Sequence, residues 1–532
     1  MEKERFYITT PIYYPSRKFT LGNCYTTVIC DAVSRFNKML GKDVFFMTGT
    51  DEHGQKIADS AKSAGKTEME YLDEMIADAK ELWKMLKVDY DKFIRTTDDY
   101  HEKSVQKIFK ELYDKGYIYK SSYQGKYCVP CESFWTESQL EDGKCPDCHR
   151  DVIDQEEEAY FFKLSEFGDK LLDLYTNNPE FLKPQSRVNE MVTNFIKPGL
   201  QDLCVTRTSV KWGIPVDFDP KHTIYVWIDA LTNYITGLGY GTEDDSNFKK
   251  YWPANVHIIG KEIVRFHAII WPAILMALDI PLPKRVFGHG WLLFGGDKLS
   301  KSKSVANCEC VDPRILVPRY SSDAVRYILL REIPFGTDGN YTTELFLNRI
   351  NTDLANNYGN LVSRTFSMLK KYRGSVVPKA HEITEDIDID LIEAVKNGAK
   401  ECRNYIESNF DVSKALGSIF DIFSKANKYI EVTEPYRLAK DETKSDRLDT
   451  VLRILLETIR VGTILFSAFL PDVSKTVLDA MSVSDYSYED VENIFALSEG
   501  MEISQLGILF PRLDIEKELE ELAKINAELE GK

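Results

Sequence analysis

Residues 6–23 read FYITTPIYYPSRKFTLGN. The first four, Phe6–Thr9, form a short apolar run that predicts a buried strand. Past Pro11-Ile12-Tyr13-Tyr14, the turn Thr20-Leu21-Gly22-Asn23 opens a helical pattern over Cys24–Leu40. A strand that leads through a glycine-bearing turn into a helix predicts an open α/β sheet, where ligands sit at the carboxyl ends of the strands. The free N–H groups and positive dipole end of such a helix suit a phosphate. An ordinary turn with a Thr or Asn cap is the plainer alternative.

Working outward, four more short apolar runs predict strands at Val44–Met47, Ile224–Trp227, Val256–Ile259 and Arg285–Phe287, which makes five parallel strands with the first. Helical periodicity fills Thr67–Leu86 and Asp98–Tyr113. The alternation breaks at 117–223, where cysteine pairs and short mixed strands predict an inserted unit. It resumes over 224–296, is followed by a segment at 297–343 that opens with a lysine- and serine-rich loop, and gives way to helices over 344–532. In that last part Leu354–Lys371, Ile392–Phe410, Val412–Val432 and Leu448–Phe469 are the clearest, and Asp514–Glu530 is an amphipathic helix expected to pack on the body. The first sheet half spans 1–116.

The strand ends are polar. Asp51 lies in Gly49-Thr50-Asp51-Glu52-His53-Gly54, where a carboxylate could accept bonds from an ammonium group, although a solvated turn reads as well. Trp227 and Asp229 are expected at the end of the Ile224 strand, and Gly260-Lys261-Glu262 precedes Ile263 and His267 on a helix. After His289-Gly290, the run Lys298-Leu299-Ser300-Lys301-Ser302-Lys303-Ser304 alternates lysine with serine past Gly295-Gly296. Its ammonium groups could close over phosphates, the alternative being a solvated basic loop.

Cys128-x-x-Cys131 and Cys145-x-x-Cys148 form two knuckles whose four thiolates favour a closed tetrahedral zinc site, structural because no position is left for water. A rubredoxin-like iron site is the main competitor. The formal charge of −17 gives no global pull on nucleic acid, so any such partner must dock on local basic patches. No apolar stretch reaches the roughly 20 residues of a membrane span, and no signal core opens the sequence, so a cytoplasmic protein is expected.

Together these residues resemble the methionyl-tRNA synthetase family of class I aminoacyl-tRNA synthetases, over nearly the whole chain. Thr20-Leu21-Gly22-Asn23 matches the HIGH signature with Thr20 in place of the first histidine, and Lys298-Leu299-Ser300-Lys301-Ser302 matches KMSKS with leucine for methionine. The resemblance implies a Rossmann-like parallel-sheet catalytic domain split by a zinc-binding connective peptide and followed by an all-α anticodon-binding bundle. It implies ATP with Mg2+, L-methionine and tRNA(Met) as partners, and the activation of methionine followed by its transfer to the 2′-hydroxyl of the terminal tRNA adenosine.

By the same resemblance Lys298, Lys301, Thr20 and Asn23 carry catalysis, and Gly22, Gly260, Glu262, His289, Gly290, Leu292 and Lys301 bind ATP. Ile12, Tyr14, Asp51, Trp227, Ala230, Leu231, Tyr234, Ile263 and His267 form the methionine pocket. Cys128, Cys131, Cys145 and Cys148 hold the metal, and Asn360, Arg364 and Tyr436 meet the anticodon. Many bacterial relatives carry an appended dimerising domain that does not follow Lys532 here, so a monomer is expected, with a homodimer the alternative. The substitution at Thr20 leaves one rival: a tRNA-binding paralogue without catalysis.

Overall fold

The computed structural model describes residues 3–130, 133–135, 137, 140–146, 148–294, 297–298, 312–332, 336–379 and 381–530. The Arg5–Tyr13 strand is buried along almost its whole length, which requires cover on both faces and so a parallel sheet with helices on each side. Six parallel strands lie in the order Lys92–Arg95, Asp43–Thr50, Arg5–Tyr13, Val256–Gly260, Val286–His289 and Leu182–Lys183. From Arg5–Tyr13 the chain builds outward to one side, and from Val256–Gly260 to the other. The reversal of strand order leaves a crevice between these two, at their carboxyl ends.

The main sheet differs from the sequence expectation at three points. Lys92–Arg95 and Leu182–Lys183 are strands that no apolar run announces, being four and two residues long. Leu182–Lys183 also belongs by hydrogen bonding to the main sheet, although 117–223 reads as an insertion. Ile224–Trp227 is not a strand of this sheet. Thr223–Ile224 pairs antiparallel with Thr206–Arg207, and Val226–Thr236 is a helix capped by the extended Tyr225. A short apolar run does not by itself separate a buried strand from a buried helix. The spacing of Trp227, Ala230, Leu231 and Tyr234, at steps of three, one and three, is a helical face rather than a pleat.

The inserted unit is a four-stranded antiparallel sheet ordered Ser133–Trp135, Ile118–Cys128, Ile153–Phe162 and Leu203–Cys204. Past residue 343 the chain is helical, with Asp386–Asn409, Val412–Thr433 and Ser445–Phe466 as the principal pillars. Ser445–Phe466 is buried at nearly every position from Leu448 on, as expected of the central helix of a bundle. The C-terminal helix Ile515–Glu530 packs on the body through the fully buried Leu522, and its Glu518 accepts from the Tyr320 hydroxyl and the Arg319 guanidinium.

One apolar core runs from the Leu21–Met39 helix into this bundle. Within it, fully buried Asp31 pairs with fully buried Arg326 at 2.6 Å. Among the described residues no helix is long and apolar enough to cross a membrane.

Candidate active site

The crevice edge collects the residues that end each strand. Ile12 and Tyr13 lie in register with Gly49 and Thr50, and Gly260 with His289, so the loops that follow open on the same side. At one end of this edge lies a cavity of about 280 Å3, near the lower limit of the roughly 300–1,000 Å3 usual for small-molecule sites. All nine residues expected to hold methionine line it: Ile12 and Tyr14 from the first loop, Asp51 from the second, Trp227, Ala230, Leu231 and Tyr234 from one helix face, and Ile263 and His267 beyond Gly260. Sequence reasoning did not assign Pro11, Lys56, Pro130 and Tyr225 to it, and these also line it. Pro130 lies beside Cys128, so the insertion reaches the cavity directly, a tertiary contact with no signal in the sequence.

The cavity wall is fixed by neutral hydrogen bonds. His267 bonds the Ile263 carbonyl through Nδ1 at 2.9 Å, and a carbonyl only accepts, so Nδ1 carries the proton. Nε2 therefore accepts from the Tyr234 hydroxyl at 2.7 Å. Burial pushes the His267 pKa down to about 4, so the ring is uncharged near neutrality. Trp227 stacks on Phe266 with 10° between the planes. The result is an aromatic and aliphatic chamber with one carboxylate, Asp51, suited to a soft unbranched side chain that carries an ammonium group.

Behind the chamber lies a charged layer. Fully buried Asp229 bonds His53 Nδ1 at 2.7 Å and His101 Nε2 at 2.8 Å. Burial would lower the His53 pKa, but Asp229 and Glu102 overcome it and raise it to about 10. Burial would likewise raise Asp229, yet the two imidazoles hold it down to about 2. A histidine raised in this way adds stability that is complete below its unfolded pKa near 6.5 and is lost as pH climbs through about 10. His267 works in the opposite sense, its contribution being present above 6.5 and lost as pH falls through about 4. The stability gap between wild type and His53→Gln is therefore expected to narrow from pH 6.5 to 10 in denaturant titrations, and a constant gap would count against the charged pair.

Several residues expected to take ATP lie on the segments that follow these strand ends. Thr20 caps the Leu21–Met39 helix, and its backbone N–H donates to Asn23 Oδ1 at 3.1 Å. A Cβ at exposed Gly22 would meet only Thr20 Oγ1 at 3.8 Å, so the chain's own packing does not demand glycine there. The bare backbone remains open to an outside group. At Gly290 the reason is internal, since a Cβ would lie 1.9 Å from the Thr337 carbonyl oxygen. His289 joins the two halves: its Nε2 bonds Thr26 Oγ1 at 2.7 Å, and its ring meets Tyr25 edge-on. Glu262 is exposed, and Trp291 Nε1 donates to it at 2.7 Å. Leu292 is buried at the start of the next short strand. The Lys298 backbone pairs with Leu293, whereas Lys301 lies outside the described residues.

Cys128, Cys145 and Cys148 gather their sulfurs within 4.8 Å of one another, with Cys128 and Cys148 at 3.5 Å and no disulfide between them. Tetrahedral thiolates at about 2.3 Å from zinc stand roughly 3.8 Å apart, so this donor set fits a metal. The cluster backs onto buried Trp135. Cys131 lies outside the described residues.

In the bundle, Asn360 and Arg364 stand one turn apart on the Asn360–Arg373 helix. Tyr436 follows Glu434, whose left-handed backbone at φ 44° turns the chain there, and the Tyr436 ring is half exposed.

Residues 6–155 and 151–366 match the family model "tRNA synthetases class I (M)", and 377–528 match "Anticodon binding domain of methionyl tRNA ligase". The methionine–tRNA ligase of Clostridium tetani is 54% identical over 98% of this chain and 80% of its own length. That of Caldanaerobacter subterraneus subsp. tengcongensis is 55% identical over 98% and 81%. Mycobacterium tuberculosis methionyl-tRNA synthetase in complex with methionyl-adenylate superposes with a TM-score of 0.90 at 38% identity, over 96% of this chain and all of that one. With matching models across both the sheet and the bundle, and relatives above half identity along almost its full length, the chain belongs to the methionine–tRNA ligases of the class I synthetase family.

Proposed function

We propose that the chain joins L-methionine to tRNA(Met) at the expense of ATP, with the described cavity as the amino-acid site. The methionine carboxylate attacks the ATP α-phosphate, forming methionyl-adenylate and releasing pyrophosphate. The 2′-hydroxyl of the terminal tRNA adenosine then attacks the activated carbonyl, loses its proton, and AMP departs. What supports this placement is one observation: a single carboxylate, Asp51, shares a small aromatic chamber with Trp227, Tyr234 and His267 beside the strand ends and the open helix start at Gly22.

Asp51 accepts from the substrate ammonium, while Ile12, Tyr14, Ala230, Leu231 and Ile263 complete the wall around the thioether. Gly22, Gly260, Glu262, His289, Gly290 and Leu292 border the nucleotide, with Thr20 and Asn23 at the phosphates. Lys298 and Lys301 hold the leaving phosphates, a role that rests on their match to KMSKS. Mg2+ bound with ATP would supply neutralisation of phosphate charge. Catalysis here is mostly positioning and electrostatic stabilisation. Asn360, Arg364 and Tyr436 meet the anticodon, Tyr436 offering an exposed ring on which a base can stack.

Methionine-dependent ATP–pyrophosphate exchange by the purified chain tests this directly. The wild type is expected to exchange, and Lys301→Ala to slow exchange by about 100-fold or more with methionine binding retained. Binding of tRNA without exchange or charging would instead support the non-catalytic paralogue.

The cysteine cluster takes zinc, with Cys131 as fourth ligand, and serves structure. Metal analysis is expected to find one zinc per chain, and Cys145→Ser to lower charging while methionine still binds. A metal-free chain with full activity would overturn it.

A further inference from the structure

The sulfur of methionine and its ammonium group must be held at a fixed separation, yet the two sets of contacts come from different segments. Asp51 sits on the loop after Asp43–Thr50, and the chamber wall of Trp227, Ala230, Leu231 and Tyr234 sits on the Val226–Thr236 helix. We propose that Asp229 is a positioning residue that sets this separation: buried between His53 on the Asp51 loop and His101 on a third element, it locks the ammonium-holding carboxylate to the thioether wall. The proposal deepens the reading of the cavity as the methionine site and rests on it.

Asp229 lies two residues beyond Trp227 and one before Ala230, on the helix face turned away from the cavity. Its Oδ2 accepts from His53, which is two residues from Asp51. Its Oδ1 accepts from His101 on the Asp99–Asp114 helix. His101 also bonds Thr236 Oγ1 at 2.7 Å, so one imidazole spans Asp229 and Thr236, two turns apart on the same helix.

The loop itself is pinned on both sides of His53. Glu52 accepts from Arg95 Nε at 3.0 Å and from Thr97 Oγ1 at 2.6 Å, and the Gly54 N–H donates to the Trp212 carbonyl at 3.0 Å. The Asp51 N–H donates to the Tyr13 carbonyl at 2.9 Å. Held at 51, 52 and 54 by groups of other elements, the loop is joined to the pocket helix by the Asp229 to His53 hydrogen bond. A fully buried carboxylate is a poor stabiliser against an apolar replacement, because desolvation offsets much of what its partners return. Its use is better explained by geometry, since displacement of a contact by about 1 Å can cost on the order of 100-fold in rate.

Asp229→Asn keeps the side-chain shape and removes the charge that both histidines share. Two quantities decide the matter in ATP–pyrophosphate exchange on the full chain: the KM values for methionine and ATP, and the inhibition constant of 4-(methylthio)butanoate, which is methionine without its ammonium group. If Asp229 positions Asp51, KM for methionine rises about tenfold or more, while KM for ATP and the inhibition constant of the analogue stay within about twofold. The advantage of methionine over its analogue then collapses.

If Asp229 only supports the fold, both ligands weaken together or neither changes, and the proposal fails. Should Asp229→Asn not fold, as judged by its melting profile, His53→Gln is measured in the same way and decides by the same ratio. A wild type without methionine-dependent exchange would refute the amino-acid site itself, a failure separate from that of Asp229.

Discussion

Replacing Asp31 by leucine is expected to lower the unfolding free energy by about 3–5 kcal/mol, the usual cost of removing one partner from a buried ion pair. Asp31 is fully enclosed on the helix that begins at Thr20, and Arg326, equally enclosed, reaches it from the Ser322–Arg331 helix. The same guanidinium donates to the carbonyls of Phe469 at 2.7 Å and Leu86 at 3.0 Å, so it binds the catalytic sheet's first helix to the bundle. Asp31 also accepts from Arg35 at 2.9 Å and from the Asp89 N–H at 2.8 Å. Without Asp31 a guanidinium that cannot give up its proton stays buried beside carbonyls alone.

Burial pushes the Asp31 carboxyl up, but Arg326 and Arg35 more than offset it, and its pKa lies below the ordinary value. The stability it brings is thus present above the ordinary carboxylate range and lost as pH falls through the lowered pKa. Guanidinium titrations at neutral pH measure the effect, and Asp31→Leu with Arg326→Met should recover much of the loss. A single variant within about 1 kcal/mol of wild type would show that the pair does not tie the units together.

Asp51→Asn is expected to cut kcat/KM for methionine by roughly two to three orders of magnitude, about 3–4 kcal/mol, because an ammonium group then enters a partly enclosed chamber without its carboxylate partner. KM for ATP should move little, since the nucleotide site proposed at Gly260, Glu262 and Gly290 does not include this loop. Equal losses for both substrates would place Asp51 in general loop support instead. This substitution touches the ligand directly, whereas Asp229→Asn reaches it only through His53, so the larger loss belongs to Asp51.

Much of the architecture was legible because its signals are local. The turn after the first strand, the helical periods of Thr67–Leu86 and Val412–Val432, and the cysteine knuckles depend on neighbours within a few residues, and the corresponding helices Glu68–Met85 and Val412–Thr433 differ by no more than one residue at either end. The residues that family resemblance assigns to methionine line one cavity, Trp227 and Tyr234 among them, although the element bearing them reads as a strand in the sequence and is a helix.

The linear order of residues determined which segments could become strands, helices and a metal knuckle, and through matching motifs it determined the family. Only the tertiary structure decided that Leu182–Lys183 joins the far edge of the main sheet, that Pro130 of the insertion reaches the cavity lined by Asp51, and that Asp229 meets histidines 176 and 128 positions away. A two-residue strand has no period of its own, and a buried carboxylate looks like any surface aspartate in a sequence. What distinguishes it is the loss of water around it, and that depends on side chains brought in from distant elements.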